Sequence, residues 1–465
     1  MKKGCLIILL STVAFFLFGC APGGNTQTQQ LALEEGQETD AKEEPSQEAQ
    51  QQEEESSQEE QQEEETTEAE HPEDTAGEEE KNVEGRNFAA LGASSGHFNY
   101  KLIGAVAGDQ NIFYSPYSLA GALALADAGA TGTSKRELEN VLGITDLAAF
   151  EKDYKAYLER EQSEGARLTT ANGIWINNGL QLADNFDTEY KAEAEEYFKA
   201  GIKTADFAGS SAEIKKEITE WVRENTEDFI SDYEASCSKS TVMALINAVY
   251  FYGEWLDSFS PDDTEEEDFN GIKGKSRVSM MNMSRNSYRH IANYKGITAV
   301  ALPYKDDNIE MEVLMTSDEE QANDILKLVQ SLPEEEFAGL FEELDNADNS
   351  MITRLAMPKF GMDETFPSLD ETLKKIGIES AYENRDEFSR IAHEIYISQI
   401  NHRAKLEVDE VGSRAAAITE ISFETTSVSM EPEEEVNFIV NRPFVFFIRD
   451  RSANNVLFAG FIRDL

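Results

Sequence analysis

The chain reads as an α+β protein with large mixed sheets, and three features of the sequence carry that reading. Helical spacing concentrates in the earlier part of the folded region and strand patterns in the later part. One apolar run, Thr241 to Tyr252, is too long for a hairpin arm and predicts a central strand. From about Asn87 to Leu465 apolar residues recur steadily and no linker interrupts them, which gives one large domain over 87–465.

The elements follow in order. Phe98 to Val106 has the spacing of an amphipathic helix, and Ser118 to Ala128, rich in Ala and Leu behind Ser115-Pro116, predicts a buried one. Thr170 to Ile176 alternates as a strand does. Ser211 to Ile230 sets Ile214, Ile218, Trp221, Val222 and Phe229 on related faces of a helix. Near the end, Phe444 to Arg449 and Val456 to Ile462 flank Ser452-Ala453-Asn454-Asn455, a hairpin signal.

The amino-terminal part is not globular sequence. Lys2 and Lys3 precede an apolar stretch, Leu6 to Phe18, too short to span a bilayer comfortably, and Leu17-Phe18-Gly19-Cys20 closes it. This resembles a bacterial lipoprotein signal, which implies that residues 1–19 are removed and that the Cys20 thiol takes a diacylglycerol. An ordinary secretory signal is the competing reading. Residues 20–86 follow as a tether of Gln, Glu, Ser and Thr with almost no large apolar side chain, a composition that cannot bury enough surface to fold and predicts disorder. The expected location is therefore outside the membrane, on a lipid anchor.

The formal net charge is −51, and residues 31–90 hold only 23 of the acidic residues against 3 basic ones, so the folded region is strongly acidic too. Nucleic acid and anionic membrane surfaces are excluded as partners, because binding phosphate needs the opposite sign; the lipid is the one expected membrane attachment. Of the three cysteines, Cys5 leaves with the signal, Cys20 is lipidated and Cys237 has no partner, so the exported domain relies on its core and not on a disulfide. The five histidines, His71, His97, His290, His393 and His402, lack ligand-like spacing, and no metal or cofactor is expected.

The most informative stretch runs from Glu410 through Val411, Gly412, Ser413, Arg414, Ala415, Ala416, Ala417 and Ile418 to Thr419. Alternate positions from Ser413 are small (Ser413, Ala415, Ala417, Thr419), while Arg414, Ala416, Ile418 and Glu420 share the other face. One face can slide beneath a sheet and the other can meet water. An Ala-rich surface helix is the competing reading, since Ala, Arg and Glu favour helices.

The chain resembles a serpin, and the likeness covers the whole domain. Asn111-Ile112-Phe113-Tyr114-Ser115-Pro116-Tyr117-Ser118-Leu119, then Ala171-Asn172-Gly173-Ile174-Trp175, Trp221-Val222-Arg223-Glu224-Asn225-Thr226 and Asn247-Ala248-Val249-Tyr250-Phe251-Tyr252-Gly253-Glu254-Trp255 match that family's segments in order. Met357-Pro358-Lys359-Phe360, Ile397-Ser398-Gln399-Ile400-Asn401-His402-Arg403-Ala404 and Asn441-Arg442-Pro443-Phe444 continue the match.

The resemblance implies three β-sheets, eight or nine helices and an exposed reactive loop at about 410–432. It implies a hinge at Glu410, Gly412, Ser413, Ala415, Ala416 and Ala417, and a cleaved bond at Thr426-Ser427, with cutting after Phe423 or Met430 as alternatives. Ser115, Ser118, Asn247 and His402 match the family's shutter, a polar cluster beneath the main sheet where strands part, and Trp255 matches the place where the hinge first enters. Insertion of the serpin loop is itself a type case of strand addition and released strain. The implied function is a single-use, monomeric inhibitor that forms a covalent complex with a serine protease. Thr425-Thr426-Ser427 suits an elastase-like or subtilisin-like enzyme with a small or medium pocket. The alternative is a non-inhibitory binding or structural lipoprotein on the same fold. A catalytic Ser and His pair is not expected, for want of a placed acid or a nucleophile elbow, so the chain is read as no enzyme.

Overall fold

The computed structural model describes residues 88–465, apart from 161, 164, 284–286, 307, 366–368 and 414–435. Cys20 and the tether, Ala415, Ala416, Ala417, Thr426 and Ser427 lie outside the described residues.

The chain opens with α1 (Ala89–Ala105), a short strand β1 (Ile112–Tyr114), and the helices α2 (Pro116–Gly129), α3 (Gly132–Leu142) and α4 (Leu147–Glu159). β2 (Ala166–Asn177), α5 (Tyr190–Phe198), β3 (Gly201–Ala205), α6 (Phe207–Asn225) and β4 (Met243–Glu254) follow. A run of strands comes next: β5 (Glu265–Gly271), β6 (Gly274–Met283), β7 (Ser287–Tyr294), β8 (Ile297–Pro303) and β9 (Ile309–Thr316). After α7 (Ile325–Ser331) and α8 (Glu334–Asp345) lie β10 (Asn349–Pro358), β11 (Phe360–Thr365), α9 (Leu369–Ile376) and the single turn α10 (Ser380–Glu383). The chain ends with β12 (Gln399–Val408), β13 (Gly412–Ser413), β14 (Val436–Ile439), β15 (Phe444–Asp450) and β16 (Asn455–Ile462).

Six strands form one sheet in the order β11-β12-β13-β4-β2-β3. The others form a second array in which β7 pairs with both β8 and β10, so that β1-β16-β15-β9-β8-β7 on one side and β10-β6-β5 with β14 on the other share one strand. The mixed α+β architecture is thus three groups of strands, two of them joined through β7, with nine longer helices and the one-turn α10 among the described residues.

α2 stands between the two sheets, and all its residues are buried. Its start is set by Ser115, whose hydroxyl accepts from the Ser118 N–H at 3.1 Å, with Pro116 in the first turn where its missing N–H goes unnoticed. Its small residues let β4, β2 and β16 pack close on either side; a Cβ on Gly121 would lie 2.1 Å from the Tyr154 hydroxyl.

The helix expected over Ser211 to Ile230 ends at Asn225 instead. Glu227 and Asp228 take left-handed backbone angles, φ 52° and 65°, which reverse the chain; apolar spacing continues through Phe229 and Ile230 because those side chains return over the sheet. The central strand expected at Thr241 to Tyr252 is β4, and the expected hairpin is β15–β16, with Asn454 supplying the left-handed turn residue. The helix expected at Phe98 begins earlier, at Ala89.

Candidate functional site

β12 and β4 run parallel, with Gln399–Lys405 paired to Ala244–Tyr250. In that register His402 sits opposite Asn247, and Asn247 is in turn opposite Asn172 of β2. Three polar residues therefore cross the sheet in one row. His402, Asn247 and Asn172 are all buried, with Ser115 and Ser118 above them.

The hydrogen bonds of the row close on themselves. The Ser115 N–H can only donate, so His402 Nε2 accepts from it at 3.1 Å and the other ring nitrogen, Nδ1, donates to Asn247 Oδ1 at 2.5 Å. Asn247 Nδ2 donates to Asn172 Oδ1 and to the Ser118 hydroxyl, both at 2.7 Å. Asn172 Nδ2 donates to the Tyr154 hydroxyl at 2.9 Å, and the Ser115 hydroxyl donates to the Leu457 carbonyl at 2.5 Å. Leaving any one of these groups without a partner costs about 1–3 kcal/mol, so the row fastens β2, β4 and β12 to one another and to α2. Burial holds the imidazole neutral by pushing its pKa down to about 3.

This geometry also answers the Ser and His question. The imidazole takes the Ser115 backbone N–H, and the Ser115 hydroxyl is turned to the Leu457 carbonyl. The two side chains are not aligned for proton transfer.

Above Lys405 and Tyr250 the two strands part, and β13 lies in the gap. Ser413 pairs antiparallel with Val408 of β12 and Gly253 of β4, and Gly412 pairs with Glu254. A turn built by Asp409 delivers it: the carboxylate accepts from the Val411 and Gly412 N–H groups at 2.9 and 3.2 Å, and Asp409 N–H donates to the Gly412 carbonyl at 2.9 Å. Gly412 has no room for a side chain, since a Cβ there would lie 1.9 Å from the Gly253 carbonyl oxygen. The Ser413 hydroxyl points into the core, 2.7 Å from the Tyr304 hydroxyl.

Trp255 borders this gap. Its ring stacks on Tyr304 with centroids 4.6 Å apart, its Nε1 donates to the Asp409 carbonyl and its backbone N–H to the Val411 carbonyl, at 2.9 and 2.8 Å. Trp255 is thus a core aromatic and a fastening for the turn at once. Glu410 is held by Lys359 Nζ at 2.7 Å and by the Thr264 hydroxyl at 2.9 Å.

Of the residues singled out in sequence, Ser115, Ser118, Asn247 and His402 meet in the buried row, and Glu410, Gly412, Ser413 and Trp255 meet at the open end of the same seam. Sequence reasoning missed Asn172, Tyr154, Tyr304, Asp409 and Lys359. For Asn172 a signal existed, an amide within the buried run Ala171–Ile176 on the face it shares with Ile174 and Ile176; for Tyr304 there was none, because its contact with Ser413 spans 109 positions. Elsewhere among the described residues, Glu310, Glu312 and Asp345 lie close enough to share a cation, but the Arg449 guanidinium already occupies that position, 2.6 Å from Glu312 and 2.5 Å from Asp345.

Two outcomes follow from this seam. The His402 pKa is lower in the folded protein than the ordinary 6.5, so the unfolded chain binds the extra proton first; the stabilisation is complete above about pH 6.5 and is lost as pH falls toward 3, by up to about 1.4 kcal/mol per pH unit. In thermal melts His402→Ala should flatten that slope and, by stranding Asn247 and Ser115, increase conversion to inserted or polymeric forms at 37–50 °C; an unchanged slope and no such forms would remove His402 from this role. Gly412→Ala should expel β13, seen as faster amide exchange at Ser413 and Gly253 and as new protease sensitivity near Glu410.

The comparisons with known proteins agree with this architecture. The serpin (serine protease inhibitor) family model matches residues 93–465. An uncharacterized serpin-like protein of Thermococcus kodakarensis is 30% identical over 370 residues, which span 78% of this chain and 83% of that one. The leukocyte elastase inhibitor of Sus scrofa is 29% identical over 367 residues, 75% of this chain and 92% of that one. The crystal structure of tengpin, a thermophilic serpin in its native state, superposes with a TM-score of 0.70 at 25% identity, covering 83% of this chain and 96% of tengpin. A six-stranded sheet parted at one end by a two-residue strand, together with a family match over residues 93–465, means that the chain belongs to the serpins, a family of serine protease inhibitors.

Proposed function

We propose that the protein is a suicide inhibitor of an elastase-like or subtilisin-like serine protease, displayed outside the membrane on a lipid carried by Cys20. The observation that carries this reading is β13, seated antiparallel to both neighbours between strands that are otherwise parallel. Antiparallel pairing is the more stable per residue, so replacing one parallel ladder by two antiparallel ones releases free energy.

The register of β13, extended by residue number alone, brings Ala415 opposite Leu406 and Phe251, and Ala417 opposite Ala404 and Val249. Thr419 would then arrive between His402 and Asn247, where its hydroxyl can partner the two groups that opening the sheet separates. The small residues that the sequence sets on this face are the ones such a path requires.

The chemical step belongs to the protease. Its serine oxygen bonds to the Thr426 carbonyl carbon, the bond to Ser427 breaks, and the freed Ser427 amine takes a proton. The severed hinge side, Gly412 to Thr426, makes a strand of about 46 Å at roughly 3.3 Å per residue and carries the acyl-linked protease to the far end of the sheet. Distortion there keeps water from releasing it. The small side chains at Thr425-Thr426-Ser427 and the likeness to a leukocyte elastase inhibitor support a target with a small or medium pocket. The inhibitor acts as a monomer, and neither nucleic acid nor a lipid surface takes part in the trap.

Incubation with elastase should give a band near the summed masses on a denaturing gel, with mass spectrometry placing the ester at Thr426, and the nicked protein should melt well above the intact one. Thr419→Arg should be cut without trapping. Clean cleavage of the natural chain with no rise in melting temperature would instead identify a non-inhibitory binding or structural member of the fold. Cys20→Ala should move the protein from the detergent-rich to the aqueous phase in detergent partitioning; a natural chain already in the aqueous phase would exclude the anchor.

A further inference from the structure

Two glutamates of β9 stand where water does not reach. Along Ile309–Thr316 alternation puts Glu310 and Glu312 on one face, a pattern that by itself reads as the wet side of a strand. α8 covers that face instead. Phe337 and Phe341 meet Phe447 of β15 edge-on, with centroids 6.0 and 5.2 Å apart, and Phe447 is the residue opposite Glu312 in the ladder. Glu312 is fully buried and Glu310 nearly so.

Three charged groups face the pair: Arg449 of β15, Arg451 in the turn that follows it, and Asp345, the last residue of α8. Arg449 donates through Nε to Glu312 Oε1 at 2.7 Å and through Nη1 to the Asp345 carboxylate at 3.0 Å, with the Phe341 ring 5.2 Å from the guanidinium. Glu310 lies 3.7 Å from Arg449 and 3.6 Å from Arg451. The three acids bring carboxylate oxygens within 4.8 Å of one another. Fully ionised, three negative groups would share two positive ones, and the buried Glu312 Oε2 has no hydrogen-bond partner. A proton on that oxygen corrects both faults. It makes the cluster neutral and turns an orphaned acceptor into a donor, for which the Glu310 carboxylate is the acceptor.

We propose that Glu310 and Glu312 share one proton in the folded protein, and that this proton fastens the end of α8 to β9 and β15 in a joint that weakens as pH rises. The joint belongs to the second strand array and not to the six-stranded sheet, so it stands or falls apart from the inhibitory reading. Burial pushes the Glu312 carboxyl up to about 8 against the pull of Arg449, and Glu310 adds to the rise. The unfolded chain, whose glutamates titrate near 4.5, gives up that proton first. Stability from this source is therefore full below about pH 4.5 and is lost as pH rises to about 8. The His402 imidazole acts in the opposite sense and is finished by about pH 6.5, which leaves the interval from 6.5 to 8 to the carboxyl groups. Once the pair is fully ionised, Asp345 is the member that can turn its charge to water, since its side chain is already 34% exposed.

The test compares the full chain with Glu312→Gln, which keeps the shape of the protonated group at every pH. Between pH 6.5 and 8 the melting temperature of the natural chain should fall by about 2–5 °C more than that of the variant. Other groups cancel in this difference, among them His290 of β7 beside the Ala347 carbonyl and Glu151, which burial and Glu193 also push up to about 8. Carbon-13 NMR of glutamate-labelled protein reads the proton directly: one side-chain carboxyl signal of the natural chain should titrate near pH 8 and be missing from Glu312→Gln. Arg451→Met removes a cation from the rim of the cluster and should move that titration to higher pH. The same pH dependence of melting in both proteins, or a signal assigned to Glu312 that titrates below about pH 6, would overturn the proposal. Should Glu312→Gln not fold, the other two proteins decide: a natural chain with no glutamate signal titrating above about pH 6, or with none that moves in Arg451→Met, would overturn it equally.

Discussion

A ladder of parallel pairs between β4 and β12, from Gln399–Ala244 to Lys405–Tyr250, holds the six-stranded sheet shut, and the rest of the molecule is arranged around that ladder. Beneath it lies the polar row of Asn172, Asn247 and His402 under α2; above it lies the chain between α6 and β4, tied to Asn401 and Arg403; at its open end sits β13. Alternation along β12 produces this division. Even-numbered residues from Ile400 to Leu406 face the core, and odd-numbered Asn401 and Arg403 face the crossing segment, so displacement of a single strand breaks the fastenings on both faces together.

The choice of polar fastenings at this seam has a physical consequence. Along Phe444–Ile448 of β15 and Val456–Ile462 of β16 the sheet is sealed by apolar packing, and Phe446 and Phe458 both stack on Phe113. Apolar seams of that kind open only by exposing surface, at about 25 cal/mol for each Å². Amide, imidazole and hydroxyl groups can instead exchange one partner for another, so the barrier to opening is set by a few hydrogen bonds lost at once and regained with new partners. A seam of this type can be tight at rest and still open.

Much of this was legible in the sequence, and the parts that were not share a cause. α2 was readable because Ser115-Pro116 marks its start and a wholly small and apolar composition marks its burial. Of the alternation expected at the hinge only its first member, Ser413, lies among the described residues, and it turns its hydroxyl inward, to Tyr304. The end of α6 was misplaced because periodicity records which side chains are apolar and not which backbone reverses; Glu227 and Asp228, neither of them glycine, stop the helix by taking left-handed angles. The crossing segment that follows escaped notice because its inward residues Tyr233, Ala235 and Cys237 alternate with Asp232, Glu234 and Ser236, which read as a polar loop. Contacts such as Tyr304 with Ser413 or Arg403 with Asp232 join positions far apart in the chain, and only folding brings them together.

The fit of β13 depends on two glycines. Gly412 fits against Gly253 because neither carries a side chain: a Cβ on Gly412 would strike the Gly253 carbonyl, and one on Gly253 would lie 2.7 Å from Tyr304. Continued in the register of β13, an entering strand would meet the paired ends Lys405 and Tyr250, the first rung of the parallel ladder, at Ala416, and below that rung stand the Asn401 and Arg403 ties on one face and His402 on the other. Passing that rung would break the ladder, the ties of Asn401 and Arg403 and the polar row nearly together. On the proposed inhibitory reading, cleavage supplies the free end that such an advance needs. The same two glycines that let the strand begin thus stand at the entrance of the path that the proposed insertion would take.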